Sequence, residues 1–458
     1  MQENLLILHT NDLHSHLENW PKVKRYIKTQ QQHAQRQAVQ NFVFDIGDAI
    51  DRQHPLTEAT AGQANIQLMN DIGYSAATVG NNEVLGLNHA QMDQLYDEAN
   101  FPIVLANVLD AKTHQLPKWA QAYRILTTKG GQKLAVLGLT APFERTLPLV
   151  DWEPEPVDET LERLLPELKQ QADTIILLSH LGLPTDRQIA EKFNDIDLIL
   201  GAHTHHVLPE GEWHGKTLLA AAGRYGSHVG KVRLSIENGK MVQAQATVQA
   251  TDELPSLPED QAQIDQWYQR GTKKLRQEQL ANLPVTYSTD LQQQHRLIDL
   301  GLDSLKDYWS TDLALLSSGM FLADLPAGPV NKNDLHEILP HAVHPMRTTL
   351  VGHELARLVF EIKKNQGFLL NYQIKGMGFR GNHQAFGKMV WSGLELDADG
   401  NIWVDSQPLD PYRQYAIATL DHYLFIPFFP TIEIAGTNQM DYDVVLREVV
   451  AHYLQKKF

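Results

Sequence analysis

The sequence predicts an α/β protein built as two domains joined by a hinge. Three observations carry that expectation. Short β-branched and apolar runs alternate with longer, polar, helix-like segments; the texture breaks at an acidic, proline-bearing stretch after residue 250; and it resumes beyond residue 283. A chain of 458 residues fits two or three domains at roughly 100–200 residues each. The expected division is 1–250, 251–282 and 283–458.

The expected strands of the first part are Leu5–Leu8, Asn41–Ile46, Ala76–Val79, Ile103–Ala106, Lys133–Leu139, Thr174–Leu178 and Asp197–Leu200. Between them lie Gln53–Met69 and Asp158–Gln171, whose Leu, Glu, Gln and Ala content favours helix. Lys231–Ile236 and Met241–Ala250 flank Asn238-Gly239, a dipeptide suited to the tight turn of a hairpin. Thr251–Asp260, acidic and carrying Pro255 and Pro258, reads as an extended hinge, and Gln261–Leu280 as an exposed linker helix. Strands recur at Leu313–Leu316, Met389–Leu396 and Tyr415–Thr419.

Composition removes several classes of function. Hydrophobic residues at 43% and charged residues at 21% are globular values, which excludes a largely disordered chain. The formal net charge of −16 disfavours a nucleic-acid polymer, whose phosphates are held by clustered Lys and Arg. The absence of Cys removes disulfides, zinc-thiolate sites, iron–sulfur clusters and thiol nucleophiles. Any metal must sit on His, Asp, Glu, Asn or Gln, and His is plentiful at 21. No run reaches the ~18 consecutive apolar residues that span a bilayer, and no basic-then-apolar leader opens the chain. A soluble, cytoplasmic protein with no membrane partner is expected; composition sets no oligomeric state.

The chemistry lies just beyond the predicted strands. Asp12-Leu13-His14 follows the first, Gly47-Asp48 the second, and Gly80-Asn81 the third. His180 follows Thr174–Leu178, and Gly201-Ala202-His203-Thr204-His205 follows Asp197–Leu200. In extended chain, residues two apart face the same way, so Asp12 with His14, and His203 with His205, are expected to face one ion together. Ligand sites of open α/β sheets lie beyond the carboxyl ends of strands. Asp12, His14, Asp48, Asn81, His180, His203 and His205 offer more N and O donors than one Zn²⁺ takes, and suit two ions. Two ions need a bridging carboxylate, and Asp48, behind a Gly that permits close backbone approach, is the expected bridge. Two carboxylates against two divalent ions leave about +2, which suits a phosphate dianion. Each motif alone is common in ordinary loops; it is their succession on five strand ends that points to a metal centre.

Ile7-Leu8-His9-Thr10-Asn11-Asp12-Leu13-His14-Ser15-His16, Gly47-Asp48, Gly80-Asn81, Ser179-His180 and Gly201–His205 resemble the 5′-nucleotidase family within the calcineurin-like dinuclear metallophosphoesterases. Weaker matches continue in the family's order through Asp324–Gly328, Ile338-Leu339-Pro340, Ser392-Gly393-Leu394 and Pro408–Thr419. The resemblance implies an N-terminal four-layer α/β/β/α metallophosphoesterase domain, a linker helix and a C-terminal α/β domain that binds the nucleoside. It implies Asp12, His14, Asp48 and His205 around one ion, and Asp48, Asn81, His180 and His203 around the other. The implied activity is hydrolysis of nucleotide phosphate esters by a two-metal-activated hydroxide, including 5′-monophosphates, 2′,3′-cyclic nucleotides and nucleotide sugars. Mixed His and carboxylate ligation suits Mn, Zn, Fe or Co better than Mg.

The sequence departs from the family at three places. Gly-Asn-His-Glu-Phe-Asp becomes Gly80-Asn81-Asn82-Glu83-Val84-Leu85, so Asn82 stands where the family has a catalytic imidazole and Leu85 where it has the partner acid. Proton transfer is typically worth 10²–10⁴-fold, which brings forward cyclic or activated esters. It also motivates an alternative: a catalytically weakened protein that binds metal and nucleotide but lacks the general acid. Leu322 replaces a usual Arg, and Phe425–Pro430 replaces a usual glycine-rich turn. Substitute substrate contacts are Trp391 for base stacking, with Lys375 and Arg380 for anionic groups. His336, His341, His344 and His353 lack a companion carboxylate pattern and are read as structural.

Overall fold

The computed structural model describes residues 2–373, 378–380 and 385–458. The chain forms two compact units, Met1–Gly271 and Thr272–Phe458.

The first unit is built on two sheets. One runs in the order Lys240–Ala250, His228–Glu237, Gln2–Thr10, Gln40–Asp45, Ala76–Ala77, Ile103–Val104, Ala120–Gln121. Its Gln2–Thr10, Gln40–Asp45, Ala76–Ala77 and Ile103–Val104 strands are parallel neighbours, and the Asn238-Gly239 hairpin adds an antiparallel edge. The other runs Glu212–His214, Thr217–Ala221, Leu198–Gly201, Thr174–His180, Lys133–Thr140, Tyr123–Thr127. Leu5, Ile7, Phe42, Phe44 and Val232 of the first sheet share one buried core with Val136, Ile176, Leu178, Leu198 and Leu200 of the second. Strand alternation sends Leu137, Leu177 and Ile199 to the second sheet's other face, against Leu161, Leu165, Leu168 and Ile189 of helices Val157–Gln171 and Leu183–Lys192. Helix Trp20–Arg36 buries Trp20, Val23, Tyr26 and Ile27 on one stripe. Such doubly covered sheets bury both faces, which is why their strands read as near-continuous apolar runs.

Element boundaries differ from expectation where local backbone intervenes. The single helix expected over Gln53–Met69 is two, Pro55–Thr60 and Gln63–Asn70, broken where Ala61 and Gly62 turn left-handed. The linker helix is Pro258–Arg276, starting at the second proline, which suits a helix's first turn; Gln279–Leu283 is strand. The strand expected over Met389–Leu396 is Met389–Ser392 and Leu394–Leu396, interrupted at Gly393.

The second unit centres on a sheet ordered Met389–Ser392, Leu313–Ser317, Gln414–Leu420, Pro345–Val351, Thr437–Met440. Its core joins Leu297, Leu305, Leu315, Leu350, Leu358, Ile417 and Val450 from this sheet and from helices Leu297–Trp309, Gly352–Leu369 and Leu446–Lys457. Among the described residues, no helix is long and apolar enough to cross a membrane.

Candidate metal centre

Five strand ends of the first unit bring the predicted side chains together, His180 as the last residue of its strand, Asn81 as the first of the short helix Asn81–Val84 and the others on loops, by a backbone route that alternation did not anticipate. The strand Gln2–Thr10 ends before Asp12, and Asp12, His14, Asp48, His203 and His205 all have φ between 48° and 70°. Non-glycine residues pay for left-handed backbone, and such residues cluster where a site over-determines the fold. The shared direction of Asp12 and His14 therefore comes from kinked loops, not from an extended strand end. These loops are pinned to one another: Asp12 N–H donates to Gly47 O at 3.0 Å and His14 N–H to Asp48 O at 2.8 Å.

The close approach requires two glycines. A Cβ on Gly47 would fall on the backbone N of Gly80, and one on Gly80 would fall on the Asp48 Oδ1 atom, far inside van der Waals contact.

Asp48 is buried between two groups of candidate donors. Its Oδ2 lies 3.5 Å from His14 Nε2 and 3.5 Å from His180 Nε2. On one side, Asp12 Oδ1 is 3.4 Å from His205 Nε2 and 3.7 Å from His14 Nε2, and the two imidazole Nε2 atoms are 3.3 Å apart. On the other, Asn81 Oδ1 lies 3.0 Å from His203 Nδ1. Asp12, His14 and His205, and likewise Asp12, Asp48 and His180, present donor atoms mutually close enough to share an ion. These seven residues are the ones expected from the sequence.

The donor chemistry fits divalent cations. His180 is fully buried, its Nδ1 is 2.7 Å from Ile46 O, and its Nε2 has no hydrogen-bond partner. A backbone carbonyl at Nδ1 fixes the proton there and leaves Nε2 as a lone-pair donor. Without cations, protons do the balancing. Burial opposes the His180 imidazolium, yet Asp48 pushes it up to about 10. Burial likewise opposes His14, which Asp12 and Asp48 raise. Asp12 and Asp48 are lowered despite their burial, the first by hydrogen bonds from His14 and His205, the second by the charge of His180. Metal loading must therefore release protons, so affinity rises with pH.

Three contributors carried no independent signal in the sequence. Glu83, buried, accepts backbone N–H groups of Gly80 at 2.8 Å, Asp48 at 3.0 Å and Ile50 at 3.1 Å, tying the second and third loops together. Burial and the Asp48 charge push its carboxyl up to about 7 against the pull of those N–H groups. Arg224 Nη1 lies 3.2 Å from His205 Nδ1, and its guanidinium sits 4.5 Å from the Tyr225 ring. Tyr225 in turn stacks on His16 at 3.7 Å and stands edge-on to His14 at 5.7 Å. Glu83 is the fourth position of Gly80-Asn81-Asn82-Glu83, where sequence alone assigned it no role of its own; Arg224 and Tyr225 belong to no motif.

Asp186, on helix Leu183–Lys192, is buried and accepts a hydrogen bond from the hydroxyl of Ser179, next to His180. Burial pushes its carboxyl up to about 7 from 3.8. The folded protein thus keeps a proton that the unfolded chain gives up, and this stabilisation, complete below pH ~4, is lost as pH rises through about 7. Asp186→Asn in chelator-treated protein is expected to be more stable than wild type by on the order of 1–3 kcal/mol at pH 8, with a smaller gain at pH 5. Urea unfolding at the two pH values checks this, and equal gains at both would contradict it.

The expected substrate contacts belong to the second unit. Trp391 is half-buried, paired in register with Leu315, and packs on that unit's core. Arg380 is half-buried, and its backbone N–H donates to His341 Nδ1 at 2.9 Å. Lys375 lies outside the described residues. His341 stacks on Phe379 at 4.3 Å and His344 on Tyr442 at 4.0 Å. Burial depresses His341 to about 3. Among the described residues, these histidines form no group that could hold an ion.

Comparison with known proteins agrees with this geometry. Residues 5–207 match the calcineurin-like phosphoesterase family and residues 276–425 match the 5′-nucleotidase C-terminal domain. The chain is 36% identical to the uncharacterized metallophosphoesterase YunD of Bacillus subtilis, over 98% of this chain and 99% of that protein. It is 26% identical to the trifunctional nucleotide phosphoesterase YfkN of the same organism, over 74% of this chain but only 26% of that longer protein. The fold is shared with the NAD nucleotidase of Haemophilus influenzae (TM-score 0.65, 18% identity, 99% and 96% of the two chains). It is also shared with a 5′-nucleotidase precursor of Thermus thermophilus (TM-score 0.59, 20% identity, 99% and 96%). Calcineurin-like phosphoesterases use divalent metal ions, the chemistry to which these loops are suited. With both family domains in order, and a relative matched from end to end, the chain belongs to the 5′-nucleotidase family of calcineurin-like metallophosphoesterases and is a phosphoric ester hydrolase.

Proposed function

We propose that the protein hydrolyses phosphate esters of nucleotides at a dinuclear centre of Mn, Zn, Fe or Co. The observation that supports this most directly is Asp48, buried, with one oxygen 3.5 Å from a histidine of each ligand set. Asp12, His14 and His205 would hold one ion and Asn81, His180 and His203 the other, with Asp48 placed to serve both. Bound cations of this kind supply Lewis acidity toward the phosphoryl group and a nucleophile at neutral pH. The chain's own part is positional. Asn11 Nδ2 donates to Asp12 Oδ2 at 2.8 Å, and the His203 N–H is shared between that oxygen at 3.1 Å and Oδ1 at 3.2 Å. The Ile46 carbonyl orients His180, and Glu83 holds the loop that carries Asp48.

The nucleotide class is favoured by the kinship with nucleotide phosphoesterases and 5′-nucleotidases. In this reading residues 1–250 carry the centre, 251–282 the hinge and linker helix, and 283–458 the nucleoside contacts, with Trp391, Arg380 and Lys375 as their first candidates. Asn82 can donate a hydrogen bond but cannot hand a proton to a departing alkoxide. Cyclic or activated esters should therefore turn over faster, relative to 5′-monophosphates, than the family pattern implies. A catalytically weakened binding protein is the less favoured reading, because the full ligand set is present.

The test is hydrolysis by protein stripped with EDTA and reloaded with Mn²⁺, across 5′-monophosphates, 2′,3′-cyclic nucleotides, a nucleotide sugar and an aryl phosphate. Chelation is expected to abolish turnover and Mn²⁺ to restore it. No hydrolysis of any of them with two ions verified bound would transfer the case to the binding protein.

A further inference from the structure

Asn82 touches three of the candidate ligands. Its backbone N–H donates to Asp48 Oδ1 at 2.7 Å, and its amide nitrogen lies 2.8 Å from His14 Nδ1 and 3.3 Å from Ile50 O. Its amide oxygen accepts from Asn81 Nδ2 at 3.1 Å, and Asn81 Oδ1 is the atom facing His203. The backbone N–H and both ends of the side-chain amide of this half-buried residue are thus engaged at the centre. It connects a ligand of one ion (His14), a ligand of the other (Asn81) and the carboxylate between them (Asp48).

We propose that Asn82 is a positioning residue for the metal centre, joining the two ligand sets, and that it does not serve as a proton or hydrogen-bond donor to the departing group. The inference rests on the dinuclear reading above. Its physical core is the atom His14 presents. With a cation on Nε2, the imidazole carries its proton on Nδ1 and needs an acceptor there. An Asn amide can turn over and offer its oxygen to that proton; the turn gives up the contact to Asn81 Nδ2, while the backbone N–H on Asp48 Oδ1 keeps Asn82 tied to the carboxylate between the two sets. Alanine cannot accept that proton. A carboxylate at this position accepts the Nδ1 proton of the loaded centre without turning.

The test compares wild type, Asn82→Ala, Asn82→Asp and Asn82→His. Each is stripped, titrated with Mn²⁺ by calorimetry, and examined by electron paramagnetic resonance for the exchange-coupled ion pair. Second-sphere partners of metal-bound histidines are typically worth 10–100-fold in affinity. Asn82→Ala is expected to weaken at least one ion by about tenfold or more, and to lose the coupled signal at sub-saturating Mn²⁺. Its kcat should return to within about threefold of wild type once both ions are forced in. Asn82→Asp should keep wild-type affinity within about threefold, because it retains an acceptor for His14. Asn82→His should bind metal no better than wild type. The proposal is overturned if Asn82→Ala binds both ions as wild type does while kcat stays depressed at saturating Mn²⁺, since that is the signature of a group acting on the substrate. A wild type that takes only one ion would refute the dinuclear reading instead, and the positioning role would then stand or fall on whether Asn82→Ala weakens that single ion.

Discussion

Asp48→Asn is expected to lower kcat by about 10³-fold or more and to leave at most one tightly held ion, as read by metal analysis of the dialysed protein. Each factor of ten in rate is worth about 1.4 kcal/mol, so the effect asked of this one carboxylate is on the order of 4 kcal/mol. The geometry places that demand on one atom. Oδ2 lies 3.5 Å from both His14 Nε2 and His180 Nε2, while Oδ1 is held by the Asn82 N–H at 2.7 Å. An amide keeps the shape but removes the negative charge, and one of its two termini can only donate. The metal-free protein offers a second readout. His180 is held at about 10 chiefly against its own burial by the Asp48 charge, so in the variant its imidazole should titrate far lower, visible by NMR. Wild-type turnover in Asp48→Asn, with two ions retained, would remove Asp48 from the bridging role.

The fold was legible because its strands are buried on both faces: within them, runs such as Ile175–Leu178 and Leu134–Leu139 carry no polar residue that would disguise them. The gathering of candidate donor groups was legible for a related reason, since acid, amide and imidazole groups following such runs have few structural reasons to recur. What could not be read was how those groups turn inward. Alternation along an extended chain was the expected device, whereas the loops use left-handed backbone at Asp12, His14, Asp48, His203 and His205. Asp and His are enriched at positive φ, but only a small minority of them adopts it, so residue type alone did not announce these turns. Arg224 and Tyr225 were hidden similarly: their loop lies 19 residues beyond His205 and far beyond His14 in the chain, and only tertiary contact shows the approach. In the second unit, Phe425–Pro430 replaces a motif with an unrelated one, and a missing motif does not say what took its place.

Gly80→Ala is the second large prediction, and it tests the close approach of the loops without removing any ligand. Gly80 has φ −102°, an ordinary value for alanine, so the substitution carries no backbone penalty of its own. The added methyl, however, falls on Asp48 Oδ1 and against the Asp48 backbone N. Neither neighbour can yield cheaply. The carboxylate is fixed by the Asn82 N–H, and the Asp48 N–H is fixed by Glu83, which also holds Gly80 itself. The loops must part by about 1 Å, and a displacement of that size at a reacting centre costs on the order of 10²-fold in rate. We expect kcat/KM to fall by about 10²-fold or more, Mn²⁺ affinity to fall with it, and stability to drop by about 1–3 kcal/mol from overpacking. Gly367→Ala is the matched control: it sits in helix Gly352–Leu369 with nothing near its added methyl, and should be neutral or stabilising by up to about 1 kcal/mol. Calorimetric Mn²⁺ titration and thermal unfolding of both variants separate the two costs. If Gly80→Ala kept wild-type affinity for both ions, the Asp48 loop would have room to move, and the rigidity attributed to the Glu83 clamp would be wrong.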